Sequence, residues 1–288
     1  MKNFIFASLT ILLVICFQVQ AQTLTKLWEA TGLENPESVI YDPQQKAFYV
    51  SNVAGSPTDK DGNGYISKLD ENGKVVEQKW VTGFNAPKGM GIHNNKLYVA
   101  DIDQVGVVDI ASGNIEKMIP AEGATFLNDV AVSANGDVFI SDTFEGNSIY
   151  RISNGNIEMW LQSEQLDFPN GLFVKGNDLI VSSWGKITNP QTFETAVKGK
   201  VIKVSLNDKK ISDLSKSFVN GDGLAAYKNG FIVSDWIAGK IYFVDNKGTT
   251  KEIGAYNMGT ADLTLVTEKN TLVIPQMSEG KILAFKLK

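Results

Sequence analysis

Beyond its N-terminal segment, the chain alternates short apolar runs with turn residues, and the runs recur in a fixed order. From Pro169, Gly171-Leu172-Phe173-Val174 reads as a strand, Gly176-Asn177 as a turn and Leu179-Ile180-Val181-Ser182 as a second strand. Lys200-Val201-Ile202-Lys203-Val204 and Lys210-Ile211 supply a third and a fourth. Short β-branched and aromatic runs bounded by Gly, Asn and Asp predict strands joined by tight turns. Second strands recur at Phe48-Tyr49-Val50, Leu97-Tyr98-Val99, Val138-Phe139-Ile140, Phe231-Ile232-Val233 and Leu272-Val273-Ile274. Asn-Gly pairs at Asn72, Asn135, Asn154 and Asn229 mark hairpin turns.

A single polar residue stands at the entrance to the first strand of each unit: Glu37, Lys88, Asn128, Asn170, Asp222 and Asp262, at spacings of 51, 40, 42, 52 and 40 residues. Six four-stranded units of this length predict an all-β fold, a six-bladed β-propeller. A β-sandwich is the competing all-β architecture, but it gives no reason to repeat a polar residue at one strand entrance six times. The last unit ends at its third strand, Lys281-Ile282-Leu283-Ala284-Phe285, while Leu24-Thr25-Lys26-Leu27-Trp28 is a strand without a unit. The N-terminal strand is therefore expected to close the last blade and remove its open edge. Trp28, Trp80 and Trp160 recur on outer strands, where packing between blades is their expected role.

The N-terminal segment has its own pattern. Lys2 precedes an apolar run from Phe4 to Phe17, and Val19-Gln20-Ala21 ends it with a small residue. This predicts a secretory signal peptide over 1–21, a domain over 22–288 and a periplasmic or secreted protein. The run is too short for a membrane anchor, and no second span of about 20 apolar residues follows, so no membrane span is expected. Cys16 lacks the small residues of a lipidation site and is the only cysteine, so the mature chain has neither disulfides nor thiolate ligands. Loss of Lys2 moves the formal charge from −5 to −6. An acidic surface argues against nucleic acid and anionic membranes and leaves a small-molecule substrate as the expected partner of a monomer.

First strands line the channel of a propeller, so the six starter residues should gather around the axis. Asn52, Asp101, Asp142, Ser183, Asp235 and Gln276, at the exits of the second strands, form a wider polar ring; Asp101, Asp142 and Asp235 are expected to orient the inner residues. Three carboxylates, two amides and one lysine offer oxygen ligands, which suit Ca²⁺ first, with Mg²⁺, Mn²⁺ or Zn²⁺ as alternatives. Residue types alone leave a second reading open: a water-filled polar channel in which Lys88 neutralises Glu37 or Asp262.

The order Pro36-Glu37, Leu127-Asn128-Asp129, Pro169-Asn170-Gly171-Leu172 and Asp222-Gly223-Leu224 resembles the gluconolactonase/regucalcin (senescence-marker-protein-like) family and the related diisopropyl-fluorophosphatase propellers. The resemblance spans essentially the whole mature chain. It implies that Glu37, Asn170 and Asp222 ligate a metal, usually calcium, with Asn128 ligating it or orienting substrate. Family gluconolactonases carry an arginine just before the Asn-Asp pair, where this chain has Phe126, so a less polar substrate than a sugar-acid lactone is equally compatible. The single histidine, His93, lies in a turn expected on the far face, which removes a histidine-based lactonase mechanism.

The expected chemistry is metal-dependent hydrolysis of a lactone, ester or related small molecule, with Asp222 as general base or nucleophile and Asn128 beside it. The alternative is a non-catalytic binding or scaffolding propeller that keeps an inherited ring. Two long loops, Asn52 to Gly64 and Trp184 to Gly199, are lid candidates over the site. Trp184, Phe193 and Trp236 are the aromatics expected near substrate. Asp59-Lys60-Asp61-Gly62-Asn63-Gly64 resembles the opening of an EF-hand loop, but Ile66 to Asp70 reads as a strand. That leaves a looser calcium loop or a plain turn.

Overall fold

The structure, a computed structural model, describes residues 24–189 and 192–288. The expected signal peptide, including Cys16, lies outside the described residues. The strands form six four-stranded antiparallel sheets arranged as a β-propeller. In the first blade the order from axis to rim is Pro36–Asp42, Ala47–Asn52, Gly64–Asp70 and Val75–Phe84. The fourth blade follows the same plan through Pro169–Lys175, Asp178–Ser183, Val201–Ser205 and Ile211–Asp213. It adds a two-stranded ribbon, Ile187–Asn189 with Glu194–Thr195, between its second and third strands.

The sixth blade has three strands from the C-terminus, and its outermost strand is Thr25–Thr31, paired antiparallel with Lys281–Lys286. The circle is also closed at the axis. The Asp262 amide donates to the Glu37 carbonyl oxygen at 3.0 Å, and the Ser38 hydroxyl donates to the Asp262 carboxylate at 2.5 Å.

Burial follows strand position. Every residue of the second strand Ala47–Asn52 is buried, because both its faces are covered by neighbouring blades. The rim strand Asn114–Pro120 is mostly exposed. The apolar core is divided among the blade junctions: one cluster joins the second and third blades through Val105, Leu127 and Ile140, and another joins the sixth and first through Ala30, Val50 and Ile282. Trp28 packs edge-on to Phe48, Trp80 stacks on Tyr49 and Trp160 packs against Phe139. The rim tryptophans are thus packing residues.

One irregularity decides where the starter residues point. In the first blade Pro36 pairs with Asn52 but Val39 pairs with Val50, so the first strand carries one extra residue. The same shift occurs at Pro87/Met90, Leu127/Val130, Pro169/Leu172 and Gly221/Leu224. A β-bulge re-aims the side chain at the inserted position, and here that position is the starter. The bulged backbone is held by a serine one residue before the strand exit: Ser51, Ser141 and Ser234 accept from the amides of Ser38, Asp129 and Gly223 at 2.9, 2.8 and 2.7 Å.

The bulge register corrects the sixth blade. Thr260 bridges Gln276, the exit residue, as Pro36 pairs with Asn52. The residue at the starter position is therefore Ala261. Asp262 falls one place deeper, level with Ser38, Asp129 and Gly223.

Candidate functional site

Five of the six expected starters meet on the floor of one cavity at the end of the channel: Glu37, Lys88, Asn128, Asn170 and Asp222. All five are buried, Glu37 being the most exposed at 5%. Asp262 does not line this cavity. It faces the opposite end of the channel together with Asp129, because the sixth-blade bulge places Ala261 at ring level. The ring thus holds two carboxylates, two amides and one lysine.

Among the described residues, Glu37 Oε2, Asn128 Oδ1, Asn170 Oδ1 and Asp222 Oδ1 are buried without a hydrogen-bond partner. Buried oxygens are ordinarily paired, and leaving one unpaired costs about 1–3 kcal/mol. Four such atoms on one ring, from its first, third, fourth and fifth blades, fit a single group that accepts four oxygen donors. The donor set, two carboxylates and two carbonyl-type oxygens with no nitrogen or sulfur among them, is of the kind that fits a hard divalent cation. No cluster of three or more His, Cys, Asp or Glu of metal-holding geometry occurs among the described residues. The donor set here needs only two carboxylates because amides supply the rest.

Electrostatics agree with that fit. Burial, with repulsion from Asp222 and Asp262, raises the Glu37 carboxyl well above its ordinary value, and Lys88 opposes the shift only in part. Asp222 is raised by burial and by Asp262 and Asp129. Asp262 is pushed up to about 7 by burial, against the Ser38 hydroxyl. Carboxylates crowded out of water favour either a proton or a cation between them.

Lys88 bonds to none of the four unpartnered oxygens. Its Nζ donates to the carbonyl oxygens of Ala86 and Pro57, both at 3.0 Å, and lies 4.4 Å from the centroid of the Phe126 ring. The carbonyls and the ring hold the ammonium at the edge of the floor, so the neutralising pair expected with Glu37 or Asp262 does not form. Burial lowers Lys88 to about 8, against the pull of Glu37 and Asp101.

The carboxylates of the wider polar ring act through the backbone. Asp101 accepts from the amides of Asn85 and Ala86, the latter at 2.7 Å. Asp142 accepts from the amides of Thr125 and Phe126, the latter at 2.7 Å. Asp235 accepts from Lys198 Nζ at 2.7 Å and the Ala238 amide at 2.8 Å. Asp101 and Asp142 hold the backbone that leads into the first strand, and they position the starters through that backbone instead of touching their side chains.

A second layer, absent from the sequence reading, lies beneath the ring. Asp129 accepts from the Leu172 amide of the next blade at 2.6 Å, as Asp262 accepts from Ser38. Glycines at this level make the room. A Cβ at Gly171 would lie 1.9 Å from the Asp222 carbonyl oxygen, and one at Gly223 would lie 2.3 Å from the Leu263 nitrogen.

Above the floor the wall is apolar. Phe126, Phe144, Trp184, Phe193 and Trp236 surround the cavity, and Val53, Pro57 and Met277 complete it. The space is about 480 Å³ including its open mouth. Both long loops contribute, Pro57 from the first and Trp184 and Phe193 from the second. Phe144 was missed because it follows a strand exit with no aromatic repeat to mark it. Asp61 accepts from the amide and side-chain nitrogen of Asn63, at 3.0 and 2.8 Å. Asp70 ends the following strand, where it caps a turn through Asn72 and Lys74; an EF-hand is therefore excluded. His93 ends the strand Pro87–His93 and lies against the Gly136 turn, outside the cavity.

No family model and no characterised protein matches the chain at the level of sequence. Among solved structures, a gluconolactonase from Xanthomonas campestris is similar in fold, with a TM-score of 0.69 at 15% identity over 93% of this chain and 92% of that one. A streptogramin B lyase gives 0.63 at 15% identity, covering 93% and 100%. Virginiamycin B lyase from Staphylococcus aureus, in an inactive histidine-to-alanine variant with quinupristin, gives 0.59 at 14%, covering 91% and 99%. At such identities the likeness shows the fold alone: this chain is a β-propeller of six blades, similar in fold to those gluconolactonase and lyase structures. Among the described residues no helix is long and apolar enough to cross a membrane.

Proposed function

We propose that this propeller is a calcium-dependent hydrolase of the gluconolactonase-like class, acting on a lactone, ester or related small molecule at the mouth of its channel. The observation that carries the reading is the set of four buried, unpartnered oxygens on Glu37, Asn128, Asn170 and Asp222. The fold it shares with a gluconolactonase supports the reaction class, as do the motifs of that family.

Glu37, Asn128, Asn170 and Asp222 would hold the cation. When bound, it supplies a Lewis acid that polarises the substrate carbonyl. Asp222 would take a proton from the attacking water as the water oxygen forms its bond to the carbonyl carbon. The Lys88 ammonium has three donors, two of them taken by carbonyls, and its charge at the wall favours the negative oxygen that develops. Breaking the C–O bond then releases the alcohol, which recovers the proton from Asp222, and the acid. Exclusion of water by the aromatic wall strengthens each of these interactions.

The lyase-like neighbours suggest a different reaction, but one of them is inactivated by loss of a histidine. The single histidine of this chain lies outside the cavity. A non-catalytic propeller in which Lys88 fills the place of a cation finds no support, because the Lys88 ammonium is bonded to the Pro57 and Ala86 carbonyls. Replacing Asp222 by Asn tests the proposal: turnover of aryl esters and lactones should fall by at least about 10³-fold, with the circular dichroism spectrum and melting cooperativity retained. A fully active variant would remove Asp222 from the mechanism.

A further inference from the structure

We propose that the cavity selects lactones or esters bearing a bulky, hydroxyl-free apolar group and discriminates against sugar-acid lactones. The inference rests on the hydrolase reading above and adds the substrate class. The floor of the cavity is rich in oxygen, whereas its wall is built from carbon. Four aromatic contacts run along that wall: Phe126 to Phe144 at 4.6 Å, Phe144 to Phe193 at 5.6 Å, Phe193 to Trp236 at 6.5 Å and Trp236 to Trp184 at 5.9 Å between centroids.

The wall is fixed in place before substrate arrives. The Trp184 indole N–H donates to the Phe193 carbonyl oxygen at 3.1 Å. Asn220 Nδ2 donates to the Trp184 carbonyl and to Thr195 Oγ1, both at 2.9 Å. Lys198 ties the same insertion to the buried Asp235 of the fifth blade at 2.7 Å. Phe193 has φ of +55°, a conformation that bulky side chains rarely adopt and that persists only where surrounding contacts impose it. Its ring is thereby turned toward Phe144 and Trp236.

A sugar-acid lactone carries hydroxyls on most of its ring carbons, and each must exchange water for a protein partner on binding. Among the described residues the wall has no hydroxyl, carboxylate or amide side chain to offer; the Trp184 N–H is already bonded, and Trp236 adds a single indole N–H. An alkyl chain or aryl ring has nothing to satisfy and gains from leaving water. Phe126 adds to the contrast, since it is an apolar ring of the wall that packs against the Lys88 ammonium at 4.4 Å. A carbonyl resting on the floor leaves its substituent against the rings.

The test is a matched series on the calcium-loaded protein: δ-valerolactone, the same ring with an alkyl chain, and glucono-δ-lactone, corrected for spontaneous hydrolysis. The alkyl lactone should exceed the gluconolactone by at least about 100-fold in kcat/KM. Phe193→Ala should lower the ratio of alkyl to unsubstituted lactone roughly tenfold. Equal or faster turnover of gluconolactone, or a ratio unmoved by Phe193→Ala, overturns the inference while leaving the hydrolase reading standing. Turnover of none of the three sinks the hydrolase reading instead. Tryptophan fluorescence then decides the inference: tighter binding of the alkyl lactone, weakened by Phe193→Ala, supports it, and equal or no binding overturns it.

Discussion

Gly171 shows how closely the ring residues are held. A methyl group there would strike the Asp222 carbonyl oxygen, and backbone has little freedom to move aside. Gly171→Ala should therefore destabilise the fold by about 2–3 kcal/mol, the range of overpacked sites, and weaken calcium binding with it. Denaturant titration with and without calcium measures both. Lys88 makes a complementary prediction. Lys88→Met keeps an unbranched apolar stem and removes the ammonium, so kcat should fall roughly 10²-fold with little change in KM, as for loss of one oxyanion donor. A change confined to KM would assign Lys88 to ground-state binding. The sequence pattern is informative at this scale, but it misplaces one residue. In Asn170-Gly171-Leu172 and Asp222-Gly223-Leu224 the ring residue stands two places before the leucine. The same count in the sixth blade reaches Ala261, whereas polarity alone favours Asp262. Spacing to the apolar strand is the better guide because the bulge, not the side chain, determines which residue turns inward.

The N-terminal strand and the fourth-blade insertion carry the predictions at the scale of elements. Removing residues 22–31 takes away the rim strand of the sixth blade and uncovers the cluster around Ala30, Val50 and Ile282. The shortened protein should lose cooperative melting, and an unchanged thermal transition would contradict closure of the circle by Thr25–Thr31. Strand number, blade order and this closure are all legible in the sequence, because hairpins are local and each unit repeats the same turn chemistry. The bulges are not, since a one-residue register shift leaves composition unchanged. Their trace is the serine that precedes the strand exit in Ser51-Asn52, Ser141-Asp142 and Ser234-Asp235, and its purpose is visible only once the hydroxyl is seen to accept a bulge amide. How the exit carboxylates act is not legible for a related reason: a buried aspartate near a site can orient side chains or backbone, and spacing does not distinguish the two.

Across the whole molecule, the core is split among six blade junctions, and the ring residues lie where the first strands of the blades converge. A cation bound at that point ties four blades together and relieves the repulsion among the carboxylates around the channel. Binding to the folded state alone adds about 2.7 kcal/mol at 100 times the dissociation constant. Calcium should therefore raise the melting temperature by on the order of 5 °C for a domain of this size, and a chelator should reverse the gain. The most direct measurement is a crystal structure of the protein in saturating calcium. It should show one cation coordinated by Glu37, Asn128, Asn170 and Asp222 at about 2.3–2.6 Å. Only water among those four oxygens, or Lys88 swung in to pair with Glu37, would contradict it.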